Sequence, residues 1–274
     1  MSMSDRSTVD EVAEFYDDTA WTVEVVGGSI HVGYWSSDDD QTPLLAAINR
    51  FTDIVTDKLD LWPGQHLLDV GCGVGTPAIV VGQRTDARIT GITNSEWHLR
   101  EATRRANAAG LRGQVRIDYA DAAALPYPDE SFDAVLALES LVHARDRGQW
   151  LREMVRVLRP GGRAVITDIA EEIPLTEQDS EVMRAFTLAP PLAPPAFVDL
   201  VRDSGFTVEE FVSCGGRIRR SFLAYYERVE QRRAELVSVY GSEKIDKFLQ
   251  EMPLVLDLLR EKVGYVIVTG RKPA

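Results

Sequence analysis

Residues 66–78 read HLLDVGCGVGTPA. An apolar run enters an aspartate, and three glycines follow at alternate positions, Gly71, Gly73 and Gly75. Glycine weakens the interior of strands and helices alike, so a cluster this dense marks a place where the backbone has to approach something closely. A strand that feeds such a turn into a helix N-terminus is a ligand-binding device, because bare N–H groups reach a ligand with no side chain in the way. It also commits the chain to a class of fold. A buried strand followed at once by a helix is half of a βαβ unit, which needs parallel strands beside it.

The rest of the sequence supplies them. LAAINRFTDIVTDKLDL (45–61) carries apolar residues at helical spacing and stops at Pro63-Gly64. After the glycine loop come helix TPAIVVGQR (76–84), strand ARITGIT (87–93), helix SEWHLREATRRANAAG (95–110) and strand QVRIDYAD (114–121). Strand SFDAVLALES (131–140), helix RGQWLREMVRVLRPGG (147–162) and strand RAVITDIA (163–170) follow. GFTVEEFVSC (205–214) and KVGYVIVTGRKPA (262–274) read as two closing strands, with a helical stretch between them. This alternation predicts an α/β, Rossmann-like three-layer sandwich around a mostly parallel sheet. Residues 171–200 interrupt it with five of the thirteen prolines and several large apolar residues. They are expected to cover the carboxyl edge of the sheet, where open α/β sheets bind ligands. The expected divisions are an N-terminal helical or lid segment (1–45), a cofactor-binding core (46–170), an acceptor-binding cap (171–204 and 215–261), and two final core strands (205–214 and 262–274).

Composition narrows the partners. With 45% hydrophobic and 27% charged residues the chain can bury a sizeable core. The net charge of −13 argues against general binding to nucleic acid or anionic lipid. No apolar run approaches the ~20 residues of a membrane-spanning helix. The acidic start MSMSDRSTVDEVAEF does not read as a signal peptide, and two distant cysteines, Cys72 and Cys214, fit a reducing cytoplasmic setting. The four histidines, His31, His66, His98 and His143, show no paired metal-ligand spacing.

The loop itself leaves the cofactor open. Dinucleotide enzymes use GxGxxG, whereas here the third glycine falls one residue early, and the nucleotide-phosphate loop GxxxxGK[ST] is absent. Taken alone, the loop fits either a ligand site or a tight packing turn. An NAD-dependent oxidoreductase is the alternative on fold alone.

LLDVGCGVG, YADAAALPYPDESFDAV and REMVRVLRPGG, in this order and at this spacing, resemble the class I S-adenosylmethionine-dependent methyltransferases. HVGYW (31–35) and GITNS (91–95) resemble the small-molecule branch, which holds antibiotic sugar O-methyltransferases, sterol C-methyltransferases and cyclopropane synthases. The likeness covers roughly residues 30–170 and the closing GYVIVTGRKP. It implies S-adenosyl-L-methionine as cofactor and a seven-stranded sheet with an antiparallel last strand. Gly71, Cys72, Gly73 and Gly75 would wrap the amino-acid part of the cofactor, with Asp69 anchoring that wall. Thr93 and Asn94 occupy the region where many relatives carry a ribose acid, and His98 stands where this branch places an amide. His98 is thus either a ribose donor or a solvated helix histidine. Asp121 and the Ala122 backbone would read the adenine edge. Tyr16, His31 and Tyr34 could close over the methionine end, or simply pack an N-terminal helix.

The acceptor chemistry rests on residues after the fourth and fifth strands. Glu139, Ser140 and His143 follow one, and Asp168 ends the other. An oxygen acceptor sheds a proton, so a base within hydrogen-bond reach helps. A carbon acceptor becomes a cation and needs aromatic faces or a carboxylate. The sugar O-methyltransferases commonly show two adjacent histidines after the ES pair, whereas here Val142 precedes the single His143. The cover is apolar: Phe186, Leu188, Pro190, Pro191, Leu192, Pro194, Pro195 and Phe197, then Phe222, Tyr225, Tyr226 and Phe248. Arg217, Arg219, Arg220, Arg228, Arg232 and Arg233 cluster, either as ion pairs with interleaved glutamates or as a pocket for a diphosphate or carboxylate.

Together these features lead to a methyltransferase acting on a small, apolar secondary-metabolite acceptor, with a lean toward a carbon centre on an isoprenoid or prenylated aromatic chain. O-methylation with His143 as base and Asp168 orienting it is the alternative. A protein that binds the cofactor without transferring methyl is the alternative of another class. An N-terminal arm could join subunits into a homo-oligomer.

Overall fold

The computed structural model describes residues 21–25, 27–29, 31–184 and 187–274. Helix α1 (Leu44–Leu59) leads into β1 (His66–Val70), α2 (Thr76–Arg84), β2 (Arg88–Thr93), α3 (Glu96–Ala108), β3 (Val115–Tyr119) and β4 (Phe132–Leu138). A 3-10 turn (Leu141–His143), α4 (Arg147–Val157) and β5 (Leu158–Glu171) come next. Then follow α5 (Glu177–Arg184), α6 (Pro194–Asp203), β6 (Thr207–Ser213), α7 (Gly215–Ile218), α8 (Arg220–Gln231), α9 (Arg233–Tyr240), α10 (Ser242–Glu261) and β7 (Val263–Arg271).

The seven strands form one sheet in the order β3-β2-β1-β4-β5-β7-β6. All neighbouring pairs among β1 to β5 are parallel, and β7 runs antiparallel between β5 and β6. The order reverses at β1, with β2 on one side and β4 on the other. That is the switch point where a crevice opens beyond the carboxyl ends of the strands, and the glycine loop leaves β1 there.

Strand side chains alternate between two cores, as the pleat requires. Leu67, Leu136, Val165 and Ile267 face Phe51, Val55, Val81 and Val255 from the helices on one side. Leu68, Val135, Ile166 and Val268 face Leu151, Met154, Phe197 and Val201 on the other. Burial on both faces explains why these strands read as continuous apolar runs.

Two boundaries differ from the sequence reading. The strand expected from residue 163 already pairs at Leu158, because Leu158 joins Phe132 across a bulge before the main register resumes at Ala134–Arg163. Residues 171–204 do not all form a cap. Helix α6 lies on the sheet, with Phe197 and Val201 fully buried in the second core. A helix with one apolar face reads the same in sequence whether that face meets a ligand or a sheet. The cover over the crevice is built from residues 21–25 and 27–29, α5, the 187–192 loop, α8 and α10. Among the described residues no helix is long and apolar enough to cross a membrane.

Candidate active site

The three glycines of the loop all take left-handed backbone, with φ of 75° at Gly71, 53° at Gly73 and 79° at Gly75. Each serves a different purpose. A Cβ on Gly71 would come within 2.6 Å of Ser140 Cβ, so this glycine lets β1 and the end of β4 close together. One on Gly75 would meet Ala102 Cβ at 3.0 Å, so Gly75 packs α2 against α3. A Cβ on Gly73 would meet no atom within 4 Å, because Gly73 faces open space. The Cys72 N–H donates to Ile92 O at 2.9 Å and the Gly75 N–H to Cys72 O at 2.9 Å, which fixes the turn.

That space is a cavity of about 760 Å³ above the carboxyl edge of the sheet. Of the residues expected at the site, Asp69, Gly71, Cys72, Gly73, Thr93, Asn94, His98, Asp121, Ala122 and Glu139 line it. Gly75 and Tyr34 do not. Gly75 serves packing, and Tyr34 donates its N–H to Ala47 O at 2.9 Å and sits against the first core. From that segment His31 reaches the cavity instead. Tyr16 and Phe186 lie outside the described residues.

His98 is buried rather than on a solvated face, and its N–H donates to the Ser95 side chain at 3.1 Å, capping α3. Asp121 uses one carboxylate oxygen to cap its own turn, accepting from the Ala123 N–H at 2.8 Å. Asp69 is fully buried, and its Oδ2 has no hydrogen-bond partner. Burial raises its pKa to about 7. Glu139 is raised to about 7 by burial, although Val32 N–H (3.0 Å) and Tyr265 O–H (2.8 Å) both donate to its Oε1. Its φ of 53° is a strained conformation for a non-glycine residue, of the kind held at functional sites.

His143 lines the cavity beside Ser140 and Val142. Burial, and then the nearby Arg147 charge, lower its pKa to about 4, so the imidazole is neutral near pH 7. Asp168 is not where the sequence suggested. It lies behind the wall, fully buried, with Oδ1 accepting from the Ile169 N–H at 2.8 Å and Oδ2 3.9 Å from Arg147 Nε. Among the described residues it forms no hydrogen bond to His143. Arg147 is the charged residue near both, 3.9 Å from Asp168 and close enough to lower the His143 pKa, and sequence reasoning missed it. Its signal was its place one helical turn past His143, which patterning alone reads as a helix start.

The cover side of the cavity is largely apolar, with Met183, Leu188, Phe222, Val229, Phe248, Met252, Val255 and Leu259, but Lys244, Lys247 and Glu251 of α10 also line it. On α10, Phe248, Met252, Val255 and Leu259 share one helical face. Pro190, Pro194, Pro195 and Phe197 do not reach the cavity. Nor does any arginine among the described residues. Arg219 pairs with Glu172, Arg232 with Glu235 and Arg233 with Asp246, while Arg220 stacks over Trp35 and Arg228 donates to Val25 O. Apart from Arg217, the cluster is spent on ion pairs and on tying α8 to the N-terminal segment.

These features match known proteins over the whole chain. A family model described as "Methyltransferase domain" matches residues 68–166. Methyltransferase GfsG of Streptomyces halstedii is 33% identical over 268 residues, 96% of this chain and 94% of its own. The 27-O-demethylrifamycin SV methyltransferase of Amycolatopsis mediterranei is 34% identical over 98% of this chain and 99% of its own. Among solved structures, the [4+2]-cyclase SpnF superposes with a TM-score of 0.87 at 29% identity, covering 98% of both chains. The protein belongs to the class I S-adenosylmethionine-dependent methyltransferases, and its cofactor is S-adenosylmethionine. The cavity fits that molecule. Asp69 Oδ2 is an unpartnered buried acceptor for a cation, Gly73 leaves room for a ligand at the loop, and Asp121 with Ala122 borders the same space.

Proposed function

We propose that the enzyme methylates a hydroxyl oxygen of a small, largely apolar natural product, with the His143 imidazole receiving the displaced proton. The observation that carries this reading is a buried, neutral imidazole on the cavity wall between the glycine loop and the apolar cover. S-adenosylmethionine supplies an activated methyl group. As the new C–O bond forms and the S–CH3 bond breaks, the hydroxyl becomes strongly acidic. A base whose conjugate acid has a pKa of about 4 can then take its proton. The protein's remaining task is to align the acceptor and keep the site dry, which the apolar wall serves.

The name of the rifamycin relative supports a hydroxyl acceptor in secondary metabolism. No arginine lines the cavity among the described residues, so it offers no bidentate fork for a diphosphate, although Lys244 and Lys247 of α10 do line it. Transfer to carbon is the second reading, supported by the aromatic faces of Trp150, Phe222, Tyr225 and Phe248 around the cavity.

The test is transfer of labelled methyl from S-adenosylmethionine to a panel: a phenol, an aliphatic polyketide alcohol, a prenylated aromatic and a prenyl diphosphate. NMR locates the label. Label on oxygen supports the proposal, and label on carbon replaces it with the second reading. Tight cofactor binding without transfer to any acceptor would favour a protein of the kind of the [4+2]-cyclase SpnF.

A further inference from the structure

Arg147 is the one buried Lys or Arg among the described residues. Its guanidinium reaches two walls of the acceptor half at once. Nε donates to Leu141 O at 3.2 Å, in the turn that carries His143. Nη1 donates to Pro190 O at 2.8 Å and Nη2 to Ala189 O at 3.3 Å, in the loop that carries Leu188. The loop answers with the Ala189 N–H, which donates to Val142 O at 3.2 Å. The far end of the loop is tied to β5, where Glu171 N–H donates to Leu192 O at 2.9 Å.

The counter-charge is Asp168, but Oδ2 stands 3.9 Å from Arg147 Nε and takes no hydrogen bond. Burying a pair so loosely joined is costly, and apolar residues would serve stability as well or better. The gain lies in the fork: a planar guanidinium can hold three carbonyls of two separate segments in fixed relation, which a lysine cannot.

Resting on the methyl-transfer reading above, we propose that Arg147 is a positioning residue, which locks the His143 turn and the Leu188 loop into one unit around the acceptor, and that Asp168 acts through Arg147 rather than on His143. None of the Arg147 hydrogen bonds goes to the glycine loop, so the cofactor half should not depend on it.

Three variants test this: Arg147→Lys, Arg147→Met, and the double change Arg147→Met with Asp168→Asn, which removes both charges and guards against misfolding of the single variant. The readouts are S-adenosylmethionine affinity by calorimetry, KM and kcat for whichever panel acceptor takes the label, the low-pH limb of kcat/KM, and amide exchange at 187–192. Among the described residues, Arg147 from α4 is the charged group that shifts His143, while Arg147 and Glu139 act on Asp168, and Glu139 shares the cavity wall with His143.

All three variants are expected to raise acceptor KM by about tenfold or more and to speed exchange at 187–192, with cofactor affinity held within about twofold. Arg147→Lys keeps the charge and leaves the limb in place. The two Met variants move it up from about 4 toward the ordinary 6.5. Unchanged acceptor KM and exchange in Arg147→Lys would overturn the proposal. So would a parallel loss of cofactor affinity, which marks a general structural role. If a His143→Ala enzyme keeps full activity, the base assignment fails, and exchange at 187–192 still decides the positioning role.

Discussion

Gly71 and Gly73 lie two residues apart in one loop, yet alanine at each should fail in a different way. At Gly71 the new Cβ would sit 2.6 Å from Ser140 Cβ, about an ångström inside the ~3.5–4.0 Å optimum for carbon contacts. Ser140 Cβ is fixed to backbone and cannot swing aside. Left-handed φ in a non-glycine residue adds ~1–2 kcal/mol and overpacking adds ~1–3 kcal/mol, so Gly71→Ala should cost ~2–5 kcal/mol. Taking ~3 kcal/mol as the centre, the melting temperature should fall by roughly 6–12 °C. At Gly73 the conformational cost of ~1–2 kcal/mol is the same, but the Cβ meets no protein atom within 4 Å. It enters the space assigned to the cofactor. Gly73→Ala should therefore melt within about 8 °C of wild type and lose about tenfold or more in S-adenosylmethionine affinity, ~1.4 kcal/mol. Thermal melting and titration calorimetry on the two purified variants separate these effects. Wild-type cofactor affinity in Gly73→Ala would refute the placement of the cofactor at the loop. Wild-type melting in Gly71→Ala would refute the close approach of β1 and β4.

Stability without cofactor should depend on pH chiefly through three buried carboxyls, partly offset by His31 and His143, whose pKa burial lowers to about 4 and which therefore stabilise as pH rises. Asp69, Glu139 and Asp168 are each raised to about 7 by burial, from ordinary values of 3.8, 4.5 and 3.8. A raised pKa gives stability that is complete below the unfolded value and is lost as pH climbs through the folded one. The free enzyme should thus melt at a higher temperature at pH 5.5 than at pH 7.5, with each group contributing up to ~1.4 kcal/mol per pH unit. Bound S-adenosylmethionine, a sulfonium cation, should flatten this dependence, and a cofactor-free melting temperature that rises over that range would contradict it. Glu139→Gln keeps the volume but offers weaker acceptors to the Val32 and Tyr265 donors. It should lower S-adenosylmethionine affinity several-fold, and unchanged affinity in calorimetry would remove Glu139 from the cofactor site. Arg219→Gln and Arg233→Gln should leave kcat/KM within about twofold, since both side chains are spent on surface pairs. A large loss for either would restore an anion pocket.

Much of this fold was legible in the sequence because each strand and helix carries its own period. TPAIVVGQR is the helix that the spacing predicts, and HLLDV the strand. The cofactor half was legible for the same reason: it is built from local pieces, the ends of β1, β2 and β4 with the turns that follow them. The acceptor half was not, because its geometry depends on residues far apart in the chain. Phe197 and Phe248 are alike in sequence, yet one meets the sheet and the other the cavity. His143 follows β4 and Asp168 lies in the neighbouring β5, but Asp168 is fully buried beside Arg147, and no periodicity records where a side chain 8% exposed will point. The arginine cluster failed for a third reason. A run of charges does not disclose its partners, and here Glu172, Asp246 and Glu235 take them.

The central claim is that His143 receives the acceptor's proton. Its most direct test is the single-turnover rate of a His143→Ala enzyme with saturating S-adenosylmethionine and the hydroxyl acceptor found in the panel, beside the cofactor's affinity for the same protein. The account predicts a rate lower by ~10²-fold or more with cofactor affinity unchanged. A rate within about tenfold of wild type, at equal cofactor affinity, would contradict it.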